Sequence, residues 1–168
     1  VGRIGSVDIR EAEGSLRAWL SGAGRVAVAG VGSPLRRDDF VGVEVVRGLW
    51  GRVSGSVYLA ECETTPESFA GLIAEFRPTH VLVIDSAMLG LRPGCWRLIE
   101  PREIVGAAVS THALPLGILC EYLAETTGAR VALLAIQPKD TGFGEGLTPE
   151  LRETTDGLAD LLVELLPK

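Results

Sequence analysis

Clusters of lysine and arginine are missing from this chain. Sixteen basic residues stand against 22 acidic ones, giving a formal net charge of −6 and an isoelectric point near 5.0. A nucleic-acid or anionic-membrane surface needs grouped cations to neutralise phosphate, so neither partner is implied. Apolar runs approaching the roughly 20 residues of a membrane span are also lacking. The start carries Asp8, Arg10, Glu11 and Glu13 where a secretory signal would place an apolar core. The expectation is a cytoplasmic protein with no membrane insertion. Cysteine is sparse: Cys62, Cys95 and Cys120 are odd in number, far apart and without a Cys-x-x-Cys pair. That argues against a zinc knuckle or redox couple and leaves three reduced packing residues.

The 168 residues suit one domain with a real core, and 46% hydrophobic against 23% charged residues excludes a disordered chain. Asp8 to Leu20 reads as a helix, with Asp8 and Glu11 in capping-box spacing and Ile9, Leu16 and Leu20 on one face. Arg25 to Val31 is an unbroken apolar run, as expected of a parallel strand buried on both sides. From Asp38, residues Val41, Val45, Val46, Leu49 and Trp50 recur at helical intervals until Gly51.

A strand near Val57 to Glu61 precedes a proline-started helix reaching Phe76. Val81 to Asp85 is a third strand, and Cys95 to Glu100 reads as an antiparallel one. Ser110-Thr111-His112 opens a helix carrying Leu116, Leu119 and Leu123. Val131 to Ile136 is the last strand, and Thr148-Pro149-Glu150 caps a final helix. Strands alternating with helices predict a single three-layer α/β domain, with a mostly parallel twisted sheet of about five strands and helices on both faces. Residues 25–168 form that domain, and residues 1–24 an added helical extension.

The turn Gly30-Val31-Gly32-Ser33-Pro34-Leu35-Arg36-Arg37-Asp38-Asp39 follows the first strand. It lacks the third glycine of a dinucleotide fingerprint and the Gly-Lys-Ser/Thr ending of a P-loop. Two acids where phosphate would meet the helix N-terminus also repel anions. If Asp38 caps the helix, Asp39 is left to project over the sheet edge, where a carboxylate suits a cation. Ligands of open α/β sheets bind at the carboxyl ends of the strands, near a switch in strand order. Asp39, Asp85 and His112 can all reach that rim, and two carboxylates with one imidazole suit nickel, zinc or iron. The blander readings are a helix cap for Asp39, a satisfied strand-end acid for Asp85 and a hydrogen-bonded helix start for His112. His80 precedes a strand at the far edge and is expected to play no part.

These residues resemble the hydrogenase maturation endopeptidases, whose opening motif is Gly-x-Gly-Asn-x-Leu-x-x-Asp-Asp/Glu. The likeness continues through Arg77-Pro78-Thr79, Ile84-Asp85, Pro93-Gly94, Ser110 to Leu116, Ile136-Gln137-Pro138 and Gly146 to Pro149, and is greatest to the hydrogenase-3 type. It implies an enzyme that trims the C-terminal extension from a nickel-iron hydrogenase large-subunit precursor after nickel insertion. Asp39, Asp85 and His112 match the positions that contact the metal and carry catalysis, and the nickel arrives with the precursor. No organic cofactor is implied. Glu61 takes the place of an Asp in relatives and, with Gln137, is expected to line the same cleft and bind substrate. Ser33 replaces the usual Asn, and Phe40 stands where many members have a small residue. Residues before Arg25 fall outside the likeness. The base, a carboxylate or a water activated by the ion, is left open. Two alternatives remain at this stage: a self-contained zinc-dependent hydrolase, and a non-catalytic, nickel-dependent assembly checkpoint.

Overall fold

The computed structural model describes residues 9–104 and 113–168. In chain order the elements are α1 (Ile9–Leu20), β1 (Val26–Val31), α2 (Val41–Leu49), β2 (Val57–Glu63), α3 (Ala70–Phe76), β3 (His80–Ser86), β4 (Trp96–Ile99), α4 (Pro101–Ile104), α5 (Ala113–Thr127), β5 (Arg130–Ile136) and α6 (Pro149–Leu165). Short 3-10 turns at Arg37–Phe40 and Pro66–Phe69 lead into α2 and α3.

Five strands form one sheet in the order β2-β1-β3-β5-β4. The first four are mutually parallel, and β4 runs antiparallel to β5. β1 is apolar throughout, and β3 is apolar from Val81 to Ile84, because helices cover both their faces. On one face α1, α2 and α6 bury Leu16, Val45, Leu49, Leu151, Leu158 and Leu162 against Val28, Leu82 and Leu134. On the other, α3 and α5 bury Ile73, Leu119 and Leu123 against Val81, Val83 and Leu133. Burying each such side chain fully is worth about 1.5–3 kcal/mol. Cys62 and Cys120 belong to the second core, and burial pushes both thiols up to about 12. All three cysteines are free.

The expected architecture is therefore present, with corrections in detail. Ile9 is 54% exposed, and α1 instead turns Ala12, Leu16, Trp19 and Leu20 inward. Those residues share the core of α2 and α6, so α1 is built into the first helical layer. The residues after Ser33 do not enter an α-helix at Asp38. They make the tighter 3-10 turn first, and α2 starts at Val41. Asp8 and His112 lie outside the described residues. Among the described residues no helix is long and apolar enough to cross a membrane.

Connections from β1 run outward to β2 and then back past β1 to β3, so the strand order reverses between β1 and β3. Asp39 follows the first of these neighbouring strands and Asp85 lies near the end of the second. Two glycines let α2 sit low over this point. A Cβ on Gly30 would come within 2.4 Å of the Gly42 carbonyl oxygen, and one on Gly42 within 2.1 Å of the Ile84 oxygen. Only hydrogen atoms fit between helix and strands there.

Candidate active site at the β1 and β3 ends

The turn after β1 is shaped by contacts that admit no side chain. Gly32 has φ +143, and a Cβ on it would lie 1.8 Å from the Asp39 carbonyl oxygen. Its N–H donates to the Glu63 oxygen at 2.8 Å, where the β1–β2 register shifts. The chain then doubles back so that the Ser33 N–H donates to Asp39 Oδ2 at 2.9 Å. Asp39 Oδ1 accepts from the Ser86 hydroxyl at 2.9 Å, which ties the turn to the end of β3.

Asp85 precedes Ser86, and its Oδ1 accepts the Ser86 N–H at 2.8 Å. Ser86 therefore serves both acids, one with its hydroxyl and one with its amide. Burial, and then the charge of Asp39, hold the Asp85 carboxyl well above the ordinary carboxylate range, against the opposing Ser86 N–H. The two carboxyl groups thus form an electrostatically coupled pair at the switch point.

Both acids are 0% exposed. This corrects the expectation that Asp39 projects freely over an open rim. Its carboxylate is folded back onto Ser33 and Ser86. Asp38, also 0% exposed, does not cap the helix. Its Oδ2 accepts the N–H groups of Lys139 and Asp140 at 3.0 and 2.9 Å, and its Oδ1 accepts that of Thr148 at 2.7 Å. The Thr148 hydroxyl points at the same carboxylate. Thr148 does stand at the start of α6, but its side chain makes no cap bond there.

The two expected substrate-binding residues are engaged elsewhere. Glu61 accepts from Arg47 Nε at 2.9 Å and Trp50 Nε1 at 3.0 Å, which turns it toward α2. Gln137 is buried, and its Oε1 accepts the Leu89 N–H at 2.7 Å while Nε2 donates to the Pro138 oxygen. Its amide fixes the loop that follows Asp85 and Ser86. His80 begins β3, at the opposite end of the strand from Asp85, and packs edge-on against Trp19.

Sequence reasoning missed Ser86, Asp38 as a loop anchor, and Gly42. Only Ser86 carried a usable signal. It is the next residue after a strand-end acid, and strand alternation turns it to the face bearing α2. Among the described residues no group of three or more His, Cys, Asp and Glu side chains could hold a metal ion. The described part supplies two carboxylates, and α5 begins at Ala113, directly after His112. Beside Val31, at the end of β1, a cavity of about 410 Å³ opens between Pro66 and the α5 residues Leu116, Leu119 and Tyr122.

A doubly wound sheet with a coupled, buried acid pair at its switch point is the framework of an α/β enzyme whose chemistry sits at the strand ends. Residues 43–165 match the protein family HycI, described as hydrogenase maturation protease. The chain is 33% identical over 156 residues to a Methanocaldococcus jannaschii protein provisionally named a hydrogenase maturation protease, covering 88% of this chain and 91% of the relative. It is 31% identical over 127 residues to the hydrogenase 3 maturation protease of Escherichia coli K12, covering 75% and 81% respectively. The crystal structure of the [NiFe] hydrogenase maturation protease HycI from Thermococcus kodakarensis superposes with a TM-score of 0.84 at 36% identity, over 90% of this chain and 98% of that one. The class is thus a peptidase, a hydrolase of the α/β type. More particularly, the chain belongs to the hydrogenase maturation protease family.

Proposed function

We propose that this enzyme removes the C-terminal extension of a nickel-iron hydrogenase large-subunit precursor, and does so only after nickel has been inserted. The client is of the hydrogenase-3 type, and the work is done in the cytoplasm. Asp39, Asp85 and His112 contact the client's nickel and carry catalysis. The observation that carries this reading is the coupling of Asp39 and Asp85 through Ser86 at the strand-order switch.

The physics favours a loaded client. Burial, and then the neighbouring Asp39 charge, make it costly for Asp85 to ionise. A divalent ion carried by the precursor offsets that cost, whereas an empty precursor offers nothing to do so. Metal binding requires ionised carboxylates, so the ion competes with the proton for Asp85, whose proton affinity is raised. Hydrolysis then adds water across the scissile amide: its oxygen bonds to the carbonyl carbon, the C–N bond breaks, and a proton passes to the leaving amine. A carboxyl group with raised proton affinity is suited to giving or taking that proton. The apolar cavity beside Val31 can receive a client side chain while the peptide crosses the strand ends. Because both acids are wholly buried, the client reaches them only when the chain that covers them moves aside.

The test uses purified enzyme with precursor in nickel-loaded and metal-free forms, read by intact-mass spectrometry. The expected outcome is loss of the tail from the loaded form alone. An intact tail on the loaded precursor refutes the processing role. Equal cleavage of both forms refutes nickel recognition. Zinc retained in stoichiometric amount after dialysis, with activity on unrelated peptides, would instead favour a self-contained hydrolase.

A further inference from the structure

We propose that Asp38 is a positioning residue for the reaction: it fixes the direction of the neighbouring Asp39 carboxylate by locking the 3-10 turn to the loop of residues 139–148. This inference rests on the reading that Asp39 works at the reaction centre.

The turn that carries Asp39 has little local support. Arg36 stands at its start with no side-chain cap bond, and Arg37 adopts the left-handed region at φ +47. Such a conformation is strained for a residue with a side chain and persists only where its surroundings impose it. Those surroundings come from more than 100 positions away. Three backbone N–H groups and one hydroxyl converge on the Asp38 carboxylate. The Asp38 N–H in turn donates to the Asp140 oxygen at 3.0 Å, and the Arg37 N–H to the Gly144 oxygen at 3.0 Å. Main chain and side chain of Asp38 are thus both tied to one loop.

Bonds to a charged acceptor are among the stronger ones, and they supply what the absent helix cap does not. One peptide unit separates this anchor from Asp39, whose carboxylate must meet Ser33 and Ser86 together at 2.9 Å each. A twist at residue 38 rotates residue 39 out of that arrangement. An uncharged cap residue would be enough merely to start a helix. Only a carboxylate has the lone pairs to accept from all of these donors at once.

The test compares Asp38→Asn, Thr148→Val and Asp140→Ala with the wild-type enzyme on nickel-loaded precursor, below the melting temperature of each variant. Asp38→Asn turns an N–H₂ toward N–H donors, so kcat should fall at least tenfold while KM for the precursor stays within about twofold. Thr148→Val keeps the Thr148 N–H bond and the fold but removes the hydroxyl, and a roughly threefold fall in kcat is expected. Asp140→Ala removes the side-chain ion pair with Arg37 and the bond to the Gly142 N–H but keeps the Asp140 backbone bonds to Asp38, so it perturbs the same loop and leaves the Asp38 carboxylate its donors. It should leave kcat within twofold. A folded Asp38→Asn enzyme with wild-type kcat overturns the proposal, as does an equal loss in Asp140→Ala. A crystal structure of Asp38→Asn provides a readout independent of activity. Asp39 displaced from the Ser33 N–H and the Ser86 hydroxyl supports the assignment, and Asp39 unmoved overturns it. Failure of the wild-type enzyme to cut the precursor would refute the function proposed above and leave this structural arm to decide the role of Asp38.

Discussion

Replacing Gly42 by alanine tests how the fold sets the site. The added Cβ would stand 2.1 Å from the Ile84 oxygen and 2.6 Å from the Val31 oxygen. A carbon normally approaches a carbonyl oxygen to about 3.3 Å, so each contact must open by roughly 1 Å. Both oxygens belong to central strands or their ends, and neither strand can retreat without breaking the sheet. The helix must lift instead. Overpacking of this kind costs about 1–3 kcal/mol, and the contacts here are with backbone, which favours the upper end. The preference of a helix for Ala over Gly returns at most about 1 kcal/mol. A net loss of roughly 2 kcal/mol remains, and with a urea m-value of about 2 kcal/mol/M the unfolding midpoint falls by about 1 M.

Lifting α2 also moves Asp39, three residues before Gly42, and a displacement of about 1 Å at a reacting group can cost on the order of 100-fold in rate. The assay is urea unfolding followed by far-UV circular dichroism, paired with cleavage kinetics. Gly157→Ala in α6 is the control. Nothing lies within 4 Å of its added Cβ, so it should gain about 0.5–1 kcal/mol. A Gly42→Ala protein that unfolds at the wild-type urea concentration with wild-type activity would refute the close-approach argument.

Three further outcomes follow from named contacts. Asp85 in the fold holds its proton above the ordinary value of 3.8, so the native state binds more protons than the unfolded one and stability declines as pH rises from 3.8 through the raised value. Asp85→Asn should therefore melt higher than wild type at pH 7, with the advantage vanishing below pH 3.8, as read by calorimetry across that range. His80 is shifted the opposite way from 6.5, chiefly by burial and then by Arg130. Its share of stability is present above pH 6.5 and is lost as pH falls from 6.5 through the lowered value, and His80→Phe should flatten the melting profile below pH 6.5. Glu61 is held by Arg47 and Trp50, so Glu61→Gln should cost under about 1 kcal/mol and raise KM for the precursor less than threefold. A tenfold rise would put Glu61 back on the client-binding surface.

The sheet was readable because parallel strands covered on both faces leave unbroken apolar runs, as in Val26 to Val31 and Val131 to Ile136. The antiparallel β4 was readable from its short turn through Pro93 and Gly94. The first turn of α2 was not, because apolar spacing is the same whether a helix opens with a 3-10 turn or an α turn. The face of α1 was misjudged at Ile9, since periodicity alone does not say where a terminal residue meets the core. The closeness of Asp39 and Asp85 was readable from their places after neighbouring strands, a consequence of topology. The partnership of Asp38 with Thr148 spans 110 residues and leaves no local pattern. The burial of both acids was equally hidden, because composition does not tell which charged groups a fold covers. Glu61 and Gln137 were placed near the right strand ends, but local hydrogen bonds decided where their side chains went.

The account rests most directly on Asp39 and Asp85 acting together on a nickel-loaded client. The decisive measurement is the single-turnover cleavage rate of loaded precursor by Asp39→Asn and by Asp85→Asn, each confirmed folded and read by intact mass. Loss of cleavage by at least 100-fold in both is the predicted result. Wild-type rates in either would contradict the claim.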